Sequence, residues 1–157
     1  MRHAIFVAAL FMVSACAKQP ANTAPVRGTS APPASSSSTI GASSSKGAVE
    51  AFLSAVKAAD LQAMSSVWGN REGLARDKYG REELEKRLII IQCTMNHDRW
   101  NYAEAAPRLQ TGGKQNWRVT LTRRNLTATI NMLTVQGPGG RWLLEEAETA
   151  PLSGFCS

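Results

Sequence analysis

Two adjacent side chains in this sequence could move protons. His97 is followed directly by Asp98, and an imidazole titrates near neutral pH, so the pair could shuttle a proton to or from a bound molecule. The phenols of Tyr79 and Tyr102 are further hydrogen-bond donors that could complete such a set. The pair falls where a predicted helix gives way to a predicted strand, and we favour a solvated turn without a catalytic role.

No other arrangement of residue types points to a known kind of active site. The predicted folded part contains one histidine, so it offers no multi-histidine metal site, and it has no Gly-x-Ser-x-Gly nucleophile motif. Its glycine-rich segments, at 112–113 and 137–140, lack the Lys-Ser/Thr pair of a phosphate-binding loop and are predicted to be turns. The carboxylates of Glu145, Glu146 and Glu148 are expected to alternate between the faces of a strand and to be solvated. We therefore predict neither a metal nor a cofactor.

A cysteine follows the apolar segment at the start of the chain. A short basic stretch precedes an apolar run at 4–12, which suits a secretory signal and falls short of the about twenty residues that a membrane-spanning helix needs. The run closes with Val13, Ser14, Ala15 and Cys16, which resemble the lipobox of bacterial lipoproteins. The resemblance implies cleavage after Ala15 and attachment of a diacylglycerol to the thiol of Cys16, which would anchor the chain in a membrane.

The residue after Cys16 indicates which membrane would hold a lipoprotein. In lipoproteins an aspartate there commonly retains the protein in the inner membrane, and this chain has Ala17. We therefore expect an outer-membrane protein that faces the periplasm, with a ligand or protein of the envelope as its unidentified partner. The alternative is an ordinary signal peptide with a chance cysteine at Cys16, which would release a soluble secreted domain.

Cys93 and Cys156 remain if Cys16 carries lipid. Paired cysteines are typical of an oxidising compartment, so we expect a disulfide between these two. Two independent thiols are the alternative, because an even number of remaining cysteines does not show that the two lie close together in the fold. The spacing is unlike a Cys-x-x-Cys motif, which argues against zinc binding and redox catalysis.

Composition divides the chain into a tether and one domain. After a signal peptide at 1–15, residues 16–45 are mainly Ser, Ala, Pro, Thr and Gly, so we expect a disordered tether. Residues 46–157 suit a single domain and leave little room for two. The chain has 18 Lys and Arg against 12 Asp and Glu, and the predicted domain has 15 against 12. In an exported protein this mild excess predicts no nucleic-acid partner.

Three helices are predicted at the start of the domain. Val49, Phe52, Leu53 and Val56 recur at helical spacing and predict an amphipathic helix that begins near a serine cluster. Asp60 is placed to cap a second, short helix.

A third helix is predicted over 82–95. Residues 88–91 are apolar on every side of this helix, so we expect that end to be deeply buried, with a strand as the alternative. Its apolar face comprises Leu84, Leu88, Ile91 and Met95.

After residue 99 apolar and polar side chains alternate with period two, which is typical of half-buried antiparallel strands. Further strands are predicted around 100–105 and over 141–147. The outward positions of the central strands form a polar face that could pair with an anionic partner, although a merely wet sheet face explains the pattern as well. That face comprises Arg118, Thr120, Thr122, Arg124, Thr127, Thr129 and Asn131.

Helices that precede a strand meander define the α+β class, with the helices on one face of a curved antiparallel sheet. In this order the chain resembles the nuclear transport factor 2-like superfamily, whose fold is cone-shaped with a helix-lined pocket. The resemblance rests on A-V-E-A-F-L at 48–53, D-L at 60–61 and G-R-W-L-L-E at 140–145.

The resemblance leaves three functions open. We predict a noncatalytic domain that binds a ligand or partner at the cell envelope. The alternative is a small-molecule enzyme of the ketosteroid isomerase or polyketide cyclase type, with His97, Asp98 and Tyr102 as its acid–base residues. A third hypothesis is an envelope-structure lipoprotein that dimerises through the sheet face. A pocket that holds the three side chains within hydrogen-bond reach would favour the enzyme, whereas one lined by aliphatic side chains and tryptophan would favour the binder.

Overall fold

The computed structural model describes residues 40–157, so the predicted signal peptide, the lipidation site and most of the predicted tether lie outside the described residues. In this part of the chain, helices pack against a five-stranded antiparallel sheet, which confirms the α+β class, and a separate two-stranded hairpin precedes the third helix. No helix between residues 40 and 157 is long and apolar enough to cross a membrane. The elements are α1 (Ser45–Lys57), α2 (Leu61–Val67), β1 (Gly69–Asn70), β2 (Gly73–Leu74), α3 (Arg81–Thr94), β3 (Arg99–Tyr102), β4 (Arg108–Gln110), β5 (Lys114–Arg123), β6 (Leu126–Gln136) and β7 (Trp142–Ala147).

The first two helices begin at side-chain caps. The Ser44 hydroxyl accepts a hydrogen bond from the Gly47 N–H at 3.0 Å, and the Asp60 carboxylate accepts one from the Ala63 N–H at 2.9 Å. The cap predicted at Asp60 is therefore confirmed. The predicted apolar stripe of α1 is buried, and its members are Val49, Phe52, Leu53 and Val56.

A buried chain of hydrogen bonds joins the start of α1 to the sheet. The Trp117 Nε1–H donates to the Ser45 hydroxyl at 2.7 Å. Ser45 lies 2.7 Å from the hydroxyl of Thr134, which donates in turn to the main-chain oxygen of Gln115 at 3.1 Å. Because the Thr134 proton is used on Gln115, Ser45 is the donor between the two hydroxyls. Each of these buried hydroxyls is thus satisfied, as burial in an apolar core requires.

The domain begins before the predicted limit at residue 46. The Gly41 N–H donates to the Ser66 main-chain oxygen at 2.8 Å, and Ala42 and Trp142 exchange two main-chain hydrogen bonds of 2.9 Å each. Gly41 has a φ of +64°, and a Cβ there would meet the Cβ of Arg141 at 2.9 Å, so glycine is required. Residues 40–45, assigned above to the tether, thus belong to the fold. Composition missed them because their contacts are mainly main-chain contacts.

The third helix is shifted by one residue from its prediction, and its far end is not deeply buried. Leu88 and Met95 lie in the core, but Ile89 is 50 % exposed and Ile90 is 65 % exposed. The expectation of deep burial was therefore wrong for these two residues. A helix turns by about 100° per residue, so α3 presents only one side to α1 and α2 even where its sequence is apolar all round.

The five-stranded sheet has the order β3-β5-β6-β7, and β4 also pairs with β5. The strand predicted around 100–105 ends at Tyr102, and β4 was not predicted. The pairing of β5 with β6 sets Val119 opposite Ile130 and Asn116 opposite Leu133. The inward, buried side chains of the two strands are Trp117, Val119, Leu121, Ile130 and Met132.

Cys93 and Cys156 form a disulfide bond, with a distance of 5.0 Å between their Cα atoms. Cys93 lies in the last turn of α3, and Cys156 follows a short C-terminal segment. Leu152 and Phe155 of that segment are buried in the core. The bond therefore ties this segment to the helix layer.

Removal of this disulfide should lower stability substantially. The two cysteines are 63 residues apart, and closure of a loop of that length contributes about 4 kcal/mol on the chain-entropy description. We expect the double variant Cys93→Ser/Cys156→Ser to unfold at a lower urea concentration, and reductant to shift the parent by a similar amount. Reductant should leave the variant unchanged, which is the control. Coincident urea curves for parent and variant would contradict this prediction.

Candidate functional site

His97 lies in the core, so a solvated turn is the wrong description of it. It is 2 % exposed, and its Nδ1 lies 3.0 Å from the main-chain oxygen of Met95. Nδ1 therefore carries the proton and donates to that carbonyl, while Nε2 is buried and has no hydrogen-bond partner among residues 40–157. Burial, the largest influence, outweighs the Met95 carbonyl and lowers the pKa of His97 below 6.5; the charge of Lys57 also lowers it.

Asp98 and Tyr102 also bond to the main chain. The exposed Asp98 carboxylate accepts a hydrogen bond from the Arg124 N–H at 2.6 Å. The Tyr102 hydroxyl donates to the Lys46 main-chain oxygen at 3.3 Å, and burial, with a smaller effect from Glu50, raises the pKa of that phenol. The structure thus buries the imidazole and exposes the carboxylate. It does not gather the three predicted acid–base side chains around one pocket.

The helix side of the sheet leaves little room for a ligand. Phe52, Trp117 and Met132 fill the space that the family resemblance assigns to a pocket. A cavity of about 180 Å³ remains there, and Trp68 on its wall stacks against Tyr79 with ring centroids 6.3 Å apart. Tyr79 therefore packs against Trp68 and does not form a common site with His97.

A larger cleft, of about 580 Å³, lies on the opposite face of the sheet. Strand register determines which side chains form the floor of this cleft. Asn116 is paired with Leu133, and Leu133 with Glu146, so all three side chains point away from the core. Asn131 lies two residues before Leu133 and shares this face. We call this space the sheet cleft. Its lining comprises Gln110, Thr111, Lys114, Asn116, Asn131, Leu133, Glu146 and Glu148.

One wall of the sheet cleft is the turn between β4 and β5. This turn uses Gly112 at a φ of +76°, a conformation that side chains other than glycine rarely adopt. The Arg71 guanidinium donates to the main-chain oxygen of Gly112 and links the turn to the β1–β2 hairpin. Gln110 and Thr111 are thereby held at the edge of the cleft.

The sheet cleft is polar, and its lining carries two carboxylates, Glu146 and Glu148, and one ammonium, Lys114. The Lys114 ammonium lies 2.6 Å from the Glu145 carboxylate, and the Asn131 amide donates to Glu148 at 2.7 Å. Glu145 is therefore partly buried in an ion pair, which corrects the expectation that it is solvated. Among the described residues the Asn116 Oδ1 has no hydrogen-bond partner, and it is inaccessible to solvent, so a ligand donor reaches this oxygen only if neighbouring side chains move.

The polar strand face predicted from the sequence is mostly satisfied within the protein. Arg118 pairs with Glu104 at 3.3 Å, and the hydroxyls of Thr120 and Thr129 lie 2.9 Å apart. The hydrogen bond from Arg108, with a smaller one from Arg118, holds the pKa of the Glu104 carboxyl below its usual range. Thr122 is buried. This part of the face is therefore not an open anion site.

The residues that line the sheet cleft were only partly visible in the sequence. The alternation of polar and apolar residues placed Asn131 on the outward face of the sheet, but Asn116 and Glu146 were not assigned to that face. Gln110 and Thr111 belong to a strand and a turn that were not predicted. Extending the period-two pattern of β5 back to Lys114 would have placed Asn116 on the outward face.

No protein-family model, no curated protein and no solved structure matches the chain. Among residues 40–157 no group of three or more His, Cys, Asp or Glu side chains is placed to hold a metal ion.

Burial of His97 should make the fold sensitive to acid. The folded protein holds the neutral imidazole, while the unfolded chain takes up a proton as the pH falls through about 6.5. The contribution of His97 to stability is therefore complete above that pH and is lost as the pH falls toward the lower pKa of the folded state. We expect the unfolding free energy, measured in urea between about pH 5 and pH 8, to fall more steeply below pH 6.5 for the parent than for His97→Asn.

The asparagine variant retains a donor for the Met95 carbonyl and removes the titrating group. It is expected to be less stable at all pH values because it leaves a cavity. Parallel pH profiles for the two proteins would contradict the assignment to His97.

Proposed function

We propose that this chain is a lipid-anchored protein of the cell envelope whose domain binds a neutral, hydroxyl- or amide-bearing ligand in the sheet cleft without catalysing a reaction. The observation that carries the proposal is the cleft of about 580 Å³ on the outer face of the sheet, lined by amide, hydroxyl and carboxylate groups. A space of this size is typical of small-molecule sites.

The chemistry of the lining supports a neutral ligand. Asn116, Asn131 and Gln110 each offer an amide donor and acceptor, and Glu146 and Glu148 offer acceptors for hydroxyl protons. Lys114, the one cation of the lining, is paired with Glu145 beside the cleft, which leaves the carboxylates of Glu146 and Glu148 as acceptors. Leu133 is the single apolar side chain in the lining, which disfavours an apolar ligand.

The noncatalytic part of the proposal rests on where the acid–base candidates lie. None of His97, Asp98 and Tyr102 lines the sheet cleft. Proton transfer requires the group to reach the reacting atom within hydrogen-bond distance, and the polar contacts of these three side chains are to the main chain. We therefore propose binding in preference to an isomerase or cyclase activity.

The architecture is proposed to be nuclear transport factor 2-like. Two helices, a short hairpin, a third helix and a strand meander follow one another along the chain, and the helices cover one face of the sheet. A parallel bridge between Trp68 and Leu144 continues the sheet toward the hairpin. These features support the proposed family, and the filled helix side distinguishes this domain from members that keep a helix-lined pocket.

The binding proposal is tested with the Asn116→Leu variant. The probe is triacetylchitotriose, which carries hydroxyl and amide groups, and affinity is measured by calorimetry on the full chain. We expect Asn116→Leu to weaken binding by about tenfold, the equivalent of one to two hydrogen bonds. The variant should keep or slightly raise thermal stability, because it removes a buried oxygen that has no partner.

Asn101→Leu is the matched control. Asn101 is an exposed asparagine that pairs with Thr120 on the same sheet and does not line the sheet cleft. It should bind the probe as the parent does. Equal affinity of Asn116→Leu and the parent, or no binding by the parent of this probe, maltotriose or trehalose, would overturn a neutral ligand in the cleft.

The anchor is tested by intact mass spectrometry of protein purified from membranes. We expect a mature chain that begins at Cys16 and carries acyl groups, and the Cys16→Ser variant should move to the soluble fraction because the lipid is lost. Recovery of the unmodified parent in the soluble fraction would overturn the lipid anchor while leaving the cleft proposal standing.

A further inference from the structure

Four cationic side chains meet at one end of the domain, which we call the basic end. Its members are Lys57, Arg99, Arg123 and Arg124. Lys57 ends α1, Arg99 begins β3, Arg123 ends β5, and Arg124 lies in the turn between β5 and β6.

Short contacts hold the basic end together. The Lys57 ammonium donates to the main-chain oxygen of Asp98 at 2.7 Å. The carboxylate of Asp98 accepts a hydrogen bond from the Arg124 N–H at 2.6 Å. Arg99 is paired with Thr122, the neighbour of Arg123 in β5. Segments far apart in the sequence therefore bring these four residues to the same end of the sheet.

No carboxylate side chain within residues 40–157 forms an ion pair with any of the four cations of the basic end. The Arg124 guanidinium donates to the main-chain oxygen of Ser157 at 3.3 Å, and Asp98 contacts Lys57 through its main-chain oxygen and the Arg124 N–H through its carboxylate. Among the described residues the Arg123 Nη1 is buried without a partner. Apart from the four cations and Asp98, residues 40–157 contain eleven Lys and Arg residues and eleven Asp and Glu residues. The whole cationic excess of the domain therefore lies at this end.

The basic end is far from where the chain enters the fold. Ala42 bridges to Trp142, which pairs with Gln136 at the last position of β6, whereas Arg123 pairs with Leu126 at the first. An antiparallel strand rises by about 3.4 Å per residue, so the two ends of β6 lie roughly 30 Å apart.

We propose that the basic end binds an anionic polymer through its phosphate or carboxylate groups. Three of the four cations are arginines, whose planar guanidinium groups pair with such anions in bidentate fashion. A membrane surface fits less well, because binding in its interface also needs inserted apolar side chains. On the elements that carry the basic end, Leu126 is the only exposed large apolar residue, at 37 %. This inference does not depend on the sheet cleft or on the lipid anchor.

The test uses the full chain with Cys16→Ser, which removes the proposed lipid site, and measures fluorescence anisotropy of labelled polyphosphate and labelled polyglutamate. We expect the double variant Arg99→Gln/Arg124→Gln to bind the preferred polymer about tenfold more weakly, since two exposed ion pairs are lost. The dependence of its affinity on salt should also be shallower, because fewer counterions are released. The two polymers distinguish phosphate from carboxylate recognition.

Arg76→Gln/Arg81→Gln is the matched control, because it removes the same net charge from cations that take part in no ion pair in residues 40–157. It should bind as the parent does. Equal weakening of both double variants would show attraction by net charge alone and would overturn the proposal. So would an absence of binding to both polymers, or binding confined to phosphatidylglycerol vesicles.

Discussion

The register between β5 and β6 is the constraint on which the core and the sheet cleft both depend. Val119 opposite Ile130 faces the helices, while Asn116 opposite Leu133 faces away from them. A slip of one residue would exchange the two faces, burying the asparagines and exposing the core. The hydrogen-bond chain through Ser45 stabilises this register, because it contacts Trp117 of β5 and Thr134 of β6 at once. The position of α1 and the orientation of both strands are therefore coupled.

Packing on the helix side determines where a ligand can bind. Large side chains from α1, β5 and β6, among them Phe52, Trp117 and Met132, occupy the space between the helices and the sheet. A ligand there would have to displace close-packed apolar groups, which cores resist strongly. The outer face carries polar side chains that need water or a partner in any case, so a polar ligand can replace water without disturbing the fold.

The two proposed binding surfaces differ in how their charges are compensated. At the sheet cleft, Lys114 forms an ion pair with Glu145, and the Asn131 amide donates to Glu148. At the basic end no cation forms an ion pair with a carboxylate side chain of residues 40–157, so long-range attraction dominates. Since the chain enters the fold at Ala42, at the other end of β6, attachment through the preceding residues leaves the basic end free.

The sequence by itself determined the features that depend on local pattern: the apolar stripe of α1, the cap at Asp60, the helix–strand order and the alternation in β5 and β6. Each follows from backbone geometry over a few residues, so neighbouring side-chain types suffice to predict it. Only the tertiary structure decided which distant residues meet. It buried His97, exposed Ile90, placed Asn116 and Glu146 on one face of the sheet and brought Lys57 and Arg124 to Asp98, because these outcomes depend on the path of the whole chain and on which faces find a partner to pack against.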